Sequence, residues 1–135
     1  MMLRIVVFVL GLLALTLPAR AQDAQAIEGV IADQLEAFNA REVEQAWTYA
    51  SPMIQRLFGN PANFGMMVMQ GYPMVWTSTG AEFLDLRDAD GRLTQTVLLR
   101  DAQGGRHLLD YAMIETAEGW KINGVFLVPQ PDVGV

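Results

Sequence analysis

The side chains able to do chemistry in this sequence are few. It has one histidine, three tyrosines, eight methionines and no cysteine. General acid–base work needs a titratable group in a desolvated pocket within hydrogen-bond reach of a substrate. The candidates are His107, Asp110, Tyr111, Asp85 and Tyr72. His107 and Asp110 look like a dyad, but their odd spacing puts them on opposite faces of a regular strand, so they could meet only across a bulge. His107 and Tyr111 share a face yet lie about 13 Å apart at strand rise. A hydrogen-bonded or exposed His107, and an Asp110 paired on the strand surface with Arg106 or Arg100, are the simpler readings. There is no nucleophile elbow, phosphate loop or zinc spacing, and without cysteine there is no thiolate nucleophile, thiolate metal site or disulfide. The sequence therefore assigns no catalytic residue, metal or cofactor. A small pocket enzyme of the isomerase or dehydratase type, using Asp110 or His107, stays as the alternative.

The second chemical feature is soft sulfur. "ANFGMMVMQGYPMVW", residues 62–76, holds four methionines. Two or three converging thioethers suit Cu(I); Met66 and Met69, with Met53 or Met74, would be the set. No dense Met/His tract accompanies them, and methionine also fills irregular gaps and adaptable binding walls. Copper is the weakest reading. Third come the aromatics. Trp47 and Phe64 fall on helix stripes and read as core. Tyr72 and Trp76 follow a Gly-Tyr-Pro corner, and their polar tips favour half-wet places. Met66, Met69, Tyr72, Trp76 and Tyr111 are the candidate lining of a pocket for a small apolar or amphipathic ligand.

The elements that must position these residues can be read from periodicity. Ile27, Val30, Ile31, Gln34, Leu35 and Phe38 recur at steps of three and four, with Glu28, Asp33 and Glu36 between them, which predicts an amphipathic helix stopped at Asn39. Val43, Ala46, Trp47 and Ala50 predict a second helix, packed on the first as a hairpin. Ser51-Pro52 and Asn60-Pro61 each place a capping side chain before a proline suited to the first helical position. Gly59 and Gly71 supply the stops, so two short helices are expected near 52–58 and 61–70. In the second, Phe64, Met67 and Val68 share one face and Met66 and Met69 another.

After Pro73 the period changes. Strands are expected at Met74–Thr79, Glu82–Arg87, Leu93–Asp101, His107–Glu115 and Trp120–Val128, joined by Gly-bearing turns as an antiparallel meander. In the last strand Trp120, Ile122, Gly124, Phe126 and Val128 should face the core. Lys121, Asn123, Val125 and Leu127 should lie on the other face, half apolar and open to a second subunit. Helices followed by a meander define an α+β class.

The N-terminus reads as a secretory signal peptide: a short positive start, an apolar run from Ile5 to Leu17, Pro18, then Ala19-Arg20-Ala21. The run is short of the roughly 18 to 20 apolar residues of a membrane span. Cleavage after Ala21 is expected, giving 1–21 as signal, 22–128 as a single domain and 129–135 as a tail, in a periplasmic or secreted protein. Losing Arg4 and Arg20 and no acid takes the formal net charge from −6 to −8. So acidic a domain repels nucleic acid and anionic lipid surfaces.

"EGWKINGVFL", residues 118–127, closing a helix-then-sheet chain, resembles the end of a nuclear transport factor 2-like domain. "ASPMIQRLFGNPANF" together with "GYPMVW" resembles a bacterial family of unknown function numbered 4864, over roughly Ile27 to Val128. The resemblance implies a cone in which a curved antiparallel sheet wraps helices around an apolar pocket. It implies no reaction, and fold does not decide function. The reading is an exported, non-catalytic domain that binds a small apolar ligand or a protein partner, a homodimer through the outer sheet face included. It predicts an apolar cavity between helices 43–70 and the sheet, with no strongly perturbed acid inside.

Overall fold

A computed structural model describes residue 11 and residues 19–130. Five helices precede four strands: α1 (Ala19–Asn39), α2 (Val43–Thr48), α3 (Pro52–Phe58), α4 (Pro61–Gly71), α5 (Pro73–Trp76), β1 (Gly80–Ala89), β2 (Arg92–Arg100), β3 (Arg106–Thr116) and β4 (Gly119–Leu127). The strands form an open antiparallel sheet in sequence order. The class is α+β, helices packed on one face of the sheet. The expected signal segment and the end of the tail lie outside the described residues, apart from Gly11 and the start of α1. Among the described residues no helix is long and apolar enough to cross a membrane.

The apolar stripe of α1 becomes one side of the core. Ile27, Ile31, Leu35 and Phe38 are buried, and opposite them lie Leu93, Val97 and Leu99 of β2 and Leu109, Tyr111 and Met113 of β3. Each such aliphatic side chain contributes about 1.5–3 kcal/mol when fully buried. Asn39 does not provide the left-handed stop of α1. Arg41 does, at φ 61°. The Glu42 N–H bonds to the Ala37 carbonyl and the Arg41 N–H to the Phe38 carbonyl, a Schellman closure. Asn39 turns its side chain to the backbone of Ser78 instead.

The short helices begin where the sequence indicates. Ser51 Oγ accepts from Ile54 N and Asn60 Oδ1 from Asn63 N, each with proline at the first turn. Gly59 stops α3 at φ 84°, a conformation glycine adopts without steric cost. Gly71 does not act as the second stop; it is the last residue of α4, and the chain turns at Tyr72, at φ −134° and ψ 62°.

The expected strand over 74–79 is instead α5, one helical turn. Pro73 opens it, Met74 and Val75 are buried, and the carbonyl of Trp76 accepts from the Arg41 guanidinium at 2.6 Å. A run of three apolar residues after a proline carries no period long enough to separate strand from helix. The remaining four expected strands all form, each a residue or two from its expected limits.

Two irregularities shape the sheet. In β1 the register slips between Phe83 and Leu86, and the buried Gln95 fills the gap, its Nε2 donating to the Leu84 and Thr96 carbonyls at 3.1 and 2.9 Å. In β4 the pairing runs Met113 to Ile122 and then Ala112 to Gly124, leaving Asn123 as an extra residue. A bulge reverses the alternation beyond it. Val125, paired with Tyr111, therefore faces the core, and Phe126, paired with Asp110, goes to the outer face. This is the reverse of the strict alternation expected for Val125 and Phe126.

Candidate functional site

The bulge sits where β4 meets the helices. There the chain just before α3 lies beside β4: Ser51 N donates to the Ile122 carbonyl and Ile122 N to the Tyr49 carbonyl, both at 2.8 Å. These bonds satisfy β4 edge groups that would otherwise be bare. Ser51 is buried and holds both structures at once. Its Oγ caps α3 and donates to Asn123 Oδ1 at 2.7 Å.

Beside this junction is a cavity of about 300 Å³. Its walls are Gln34 and Phe38 of α1, Met53, Ile54, Leu57 and Phe58 of α3, Phe64, Met67 and Val68 of α4, then Tyr72, Val75 and residues 122–126 of β4. Phe64 is the hub of the wall. Its ring lies 5.5 Å from Trp47, 5.7 Å from Phe38 and 6.0 Å from Phe58, centre to centre, within the range of favourable tilted and edge contacts. Next to it, Gly65 lets α4 close on α2: a Cβ there would collide with Val43 Cγ1. Among the lining residues Leu57 is 70% and Phe126 61% exposed, so the mouth opens between α3 and β4.

Among the described residues no lysine, arginine, histidine, aspartate or glutamate lines the cavity. Its polar groups are Gln34, Asn123 and Tyr72. The Tyr72 hydroxyl donates to the Val125 carbonyl at 3.1 Å. Gln34 Nε2 donates to the Ala46 carbonyl at 3.2 Å, tying α1 to α2.

Of the five residues expected in a pocket, only Tyr72 lines this one. Met66 and Met69 are 55% and 44% exposed, on the face of α4 turned away from the core; their neighbour Met67, with Met53, supplies the thioether wall. Met74, named as a possible third sulfur beside Met66 and Met69, is in the core. Trp76 packs 6.0 Å from Phe38 and carries the Arg41 guanidinium 4.2 Å over its ring. Tyr111 is fully buried in the sheet core, and no protein group among the described residues bonds its hydroxyl. Burial pushes its ionisation well above the usual tyrosine value.

The acid–base candidates are engaged elsewhere. Asp110 lies on the outer sheet face, accepting from Arg87 Nη2 at 2.9 Å and Thr96 Oγ1 at 2.6 Å. Its partner is thus Arg87, two strands away, rather than Arg106 or Arg100, because β2 between them brings Arg87 and Thr96 to the same face. His107 Nε2 lies 2.7 Å from Asp101 Oδ2 at the β2–β3 turn. Asp101 also accepts from the N–H groups of Gln103 and Gly105. The hydrogen bond from His107, then that from Gly105, holds its carboxyl below the usual carboxylate value. Among the described residues no group of three or more His, Cys, Asp or Glu side chains could hold a metal ion.

Sequence reasoning missed Gln34 and Asn123. Gln34 carried a signal, a polar residue at a core position of an apolar stripe. Asn123 carried none, since its placement depends on the bulge. Comparison with curated proteins and with solved structures gives no match. The model of a family described as "Domain of unknown function (DUF4864)" matches residues 20–135, most of the chain, and the protein belongs to that family.

Proposed function

We propose that this protein is an exported, non-catalytic domain of the nuclear transport factor 2-like type that holds a small, largely apolar ligand between its helices and β4. The observation that carries the reading is the cavity's composition. About 300 Å³ is walled by aliphatic, aromatic and thioether groups with three neutral polar side chains. Ligand pockets run from about 300 to 1,000 Å³ and have this makeup, apolar walls with a few placed polar groups. Catalysis of the isomerase or dehydratase type would need an acid or base at the wall, and Asp110 and His107 are both bonded away from it. Their placement supports binding over catalysis.

The test is the fluorescence of N-phenyl-1-naphthylamine, a neutral apolar dye, titrated with the mature protein. Wild type should bind it, Met67→Trp should block it by filling the wall, and Met66→Trp, on the exposed face, should not. Equal binding by all three proteins would show that the dye sits elsewhere and would remove the reading.

A second reading is supported by the outer sheet face. Leu98, Leu108, Ile114 and Phe126 are partly or largely exposed there, around the Arg87–Asp110 pair. Pairing of two copies through this face would cover them. Sedimentation equilibrium should then give a dimer that Phe126→Arg dissociates; a monomer at high concentration would refute it.

A further inference from the structure

The cavity's three polar side chains are not equally occupied, and the difference specifies a ligand. Gln34 is only 3% exposed. Its Nε2 is held by the Ala46 carbonyl, which fixes the amide orientation and leaves Oε1 without a protein donor among the described residues. Oε1 is not one of the partnerless atoms closed to solvent, so a donor that enters the cavity can reach it. Asn123 is the complement. The Ser51 hydroxyl already accepts from Ile54 N, so its proton goes to Asn123 Oδ1. That leaves Asn123 Nδ2 as a donor without a protein acceptor among the described residues. Gln34 stands on the helix wall and Asn123 on the strand wall of the same cavity. The Tyr72 hydroxyl has given its proton to Val125 and keeps only acceptor capacity.

Charge sets the second condition. A carboxylate or ammonium entering a wall with no opposite charge loses its hydration without return. The third condition is the mouth, where Met53, Leu57 and Phe126 form an apolar rim that would hold hydrocarbon.

From these three conditions we infer that the ligand is an uncharged amphiphile. It carries one group that both donates and accepts, a hydroxyl or primary amide, bound between Gln34 Oε1 and Asn123 Nδ2, and a hydrocarbon body leading out past Met53, Leu57 and Phe126. This rests on the cavity being a binding site, so the experiment separates the two claims.

Four ten-carbon probes are competed against bound N-phenyl-1-naphthylamine: 1-decanol, 1-chlorodecane, decanoate and decylamine, at neutral pH. 1-Decanol should displace the dye at concentrations about 10-fold below 1-chlorodecane, the ratio that one hydrogen bond gives, and at least about 10-fold below decanoate and decylamine, each of which would bury an unpaired charge. In Gln34→Met the advantage of 1-decanol over 1-chlorodecane should shrink to less than about 3-fold with 1-chlorodecane itself unchanged. Asn123→Leu, which removes Nδ2 together with the Ser51 contact and adds no charge, should shrink it likewise and serves if Gln34→Met does not fold. Decanoate or decylamine competing as well as 1-decanol would overturn the inference, and so would an undiminished preference in the folded variants. Failure of the dye to bind wild type would overturn the binding reading beneath it as well.

Discussion

Replacing Tyr111 with phenylalanine should make this protein more stable, although it removes an atom from the centre of the core. The Tyr111 ring is fully buried and its hydroxyl has no hydrogen-bond partner among the described residues. A hydroxyl taken from water without compensation costs about 1–3 kcal/mol. Phenylalanine keeps the ring and its packing. The void it leaves is about the size of one oxygen; at about 24 cal/mol per Å³, some ~10 Å³ costs only about 0.2 kcal/mol. The net gain should be about 1–2 kcal/mol. Roughly 110 ordered residues at about 2.1 cal/mol/K each give an unfolding entropy near ~0.23 kcal/mol/K, so Tm should rise by about 4–9 °C. The pH dependence adds a second readout. Burial raises the ionisation of Tyr111 above the ordinary value of 10.0, so above that pH the unfolded chain loses this proton while the folded chain keeps it. Wild-type stability then falls as pH rises. Phenylalanine has no proton to lose, so its advantage should widen above about pH 10. Calorimetry from neutral to alkaline pH measures both effects. A variant less stable than wild type by about 0.5 kcal/mol or more, with no widening, would show that the hydroxyl is bonded in solution and would refute the reasoning.

Gly65→Ala should cost about 1–3 kcal/mol in urea unfolding, because the new methyl meets Val43. Val43→Ala in the same chain should return part of the loss; purely additive costs would mean the two helices do not touch there. Ser51→Ala should cost about 1–2 kcal/mol, since it uncaps α3 and releases Asn123. It should also weaken dye binding, whereas a loss of stability alone would dissociate the cap from the cavity. The carboxyl of Asp101 is held below 3.8 by His107 and the turn N–H groups. Its contribution is therefore present above that pH and is lost as pH falls through the lower folded value. Asp101→Asn should lower Tm at neutral pH and flatten the acid limb of the Tm profile; an unchanged acid limb would show that the turn does not depend on the carboxylate.

The parts of the fold that were legible in the sequence are those whose signal is local. Ser51-Pro52 and Asn60-Pro61 marked helix starts because capping and the missing proline N–H act within one turn. The stripe of α1 and the Gly-bearing turns of the meander were equally direct. What failed needed partners distant in sequence. Pro73–Trp76 became a helical turn because Arg41, in the α1–α2 link 35 residues before Trp76, bonds its last carbonyl. Phe126 changed face because Asn123 is extruded from the ladder, and no pattern within β4 announces a bulge. The cavity lining divides in the same way. Tyr72, read from its corner, lines the cavity, and Met66 and Met69 do not, because a helix apolar on two faces does not say which face is covered. Gln34 was visible as a polar residue at a buried position, a signal that deserves more weight than the density of methionine.

The central claim is that the cavity between the helices and β4 holds an uncharged, mostly apolar ligand. Native mass spectrometry of the protein purified from the cells that make it tests this most directly, with Met67→Trp prepared in parallel. The wild-type chain should carry a small non-covalent adduct that dissociates as a neutral molecule and is absent from Met67→Trp. An adduct that is a metal ion or an organic ion, or one that persists at equal occupancy when the cavity is filled, would contradict the claim.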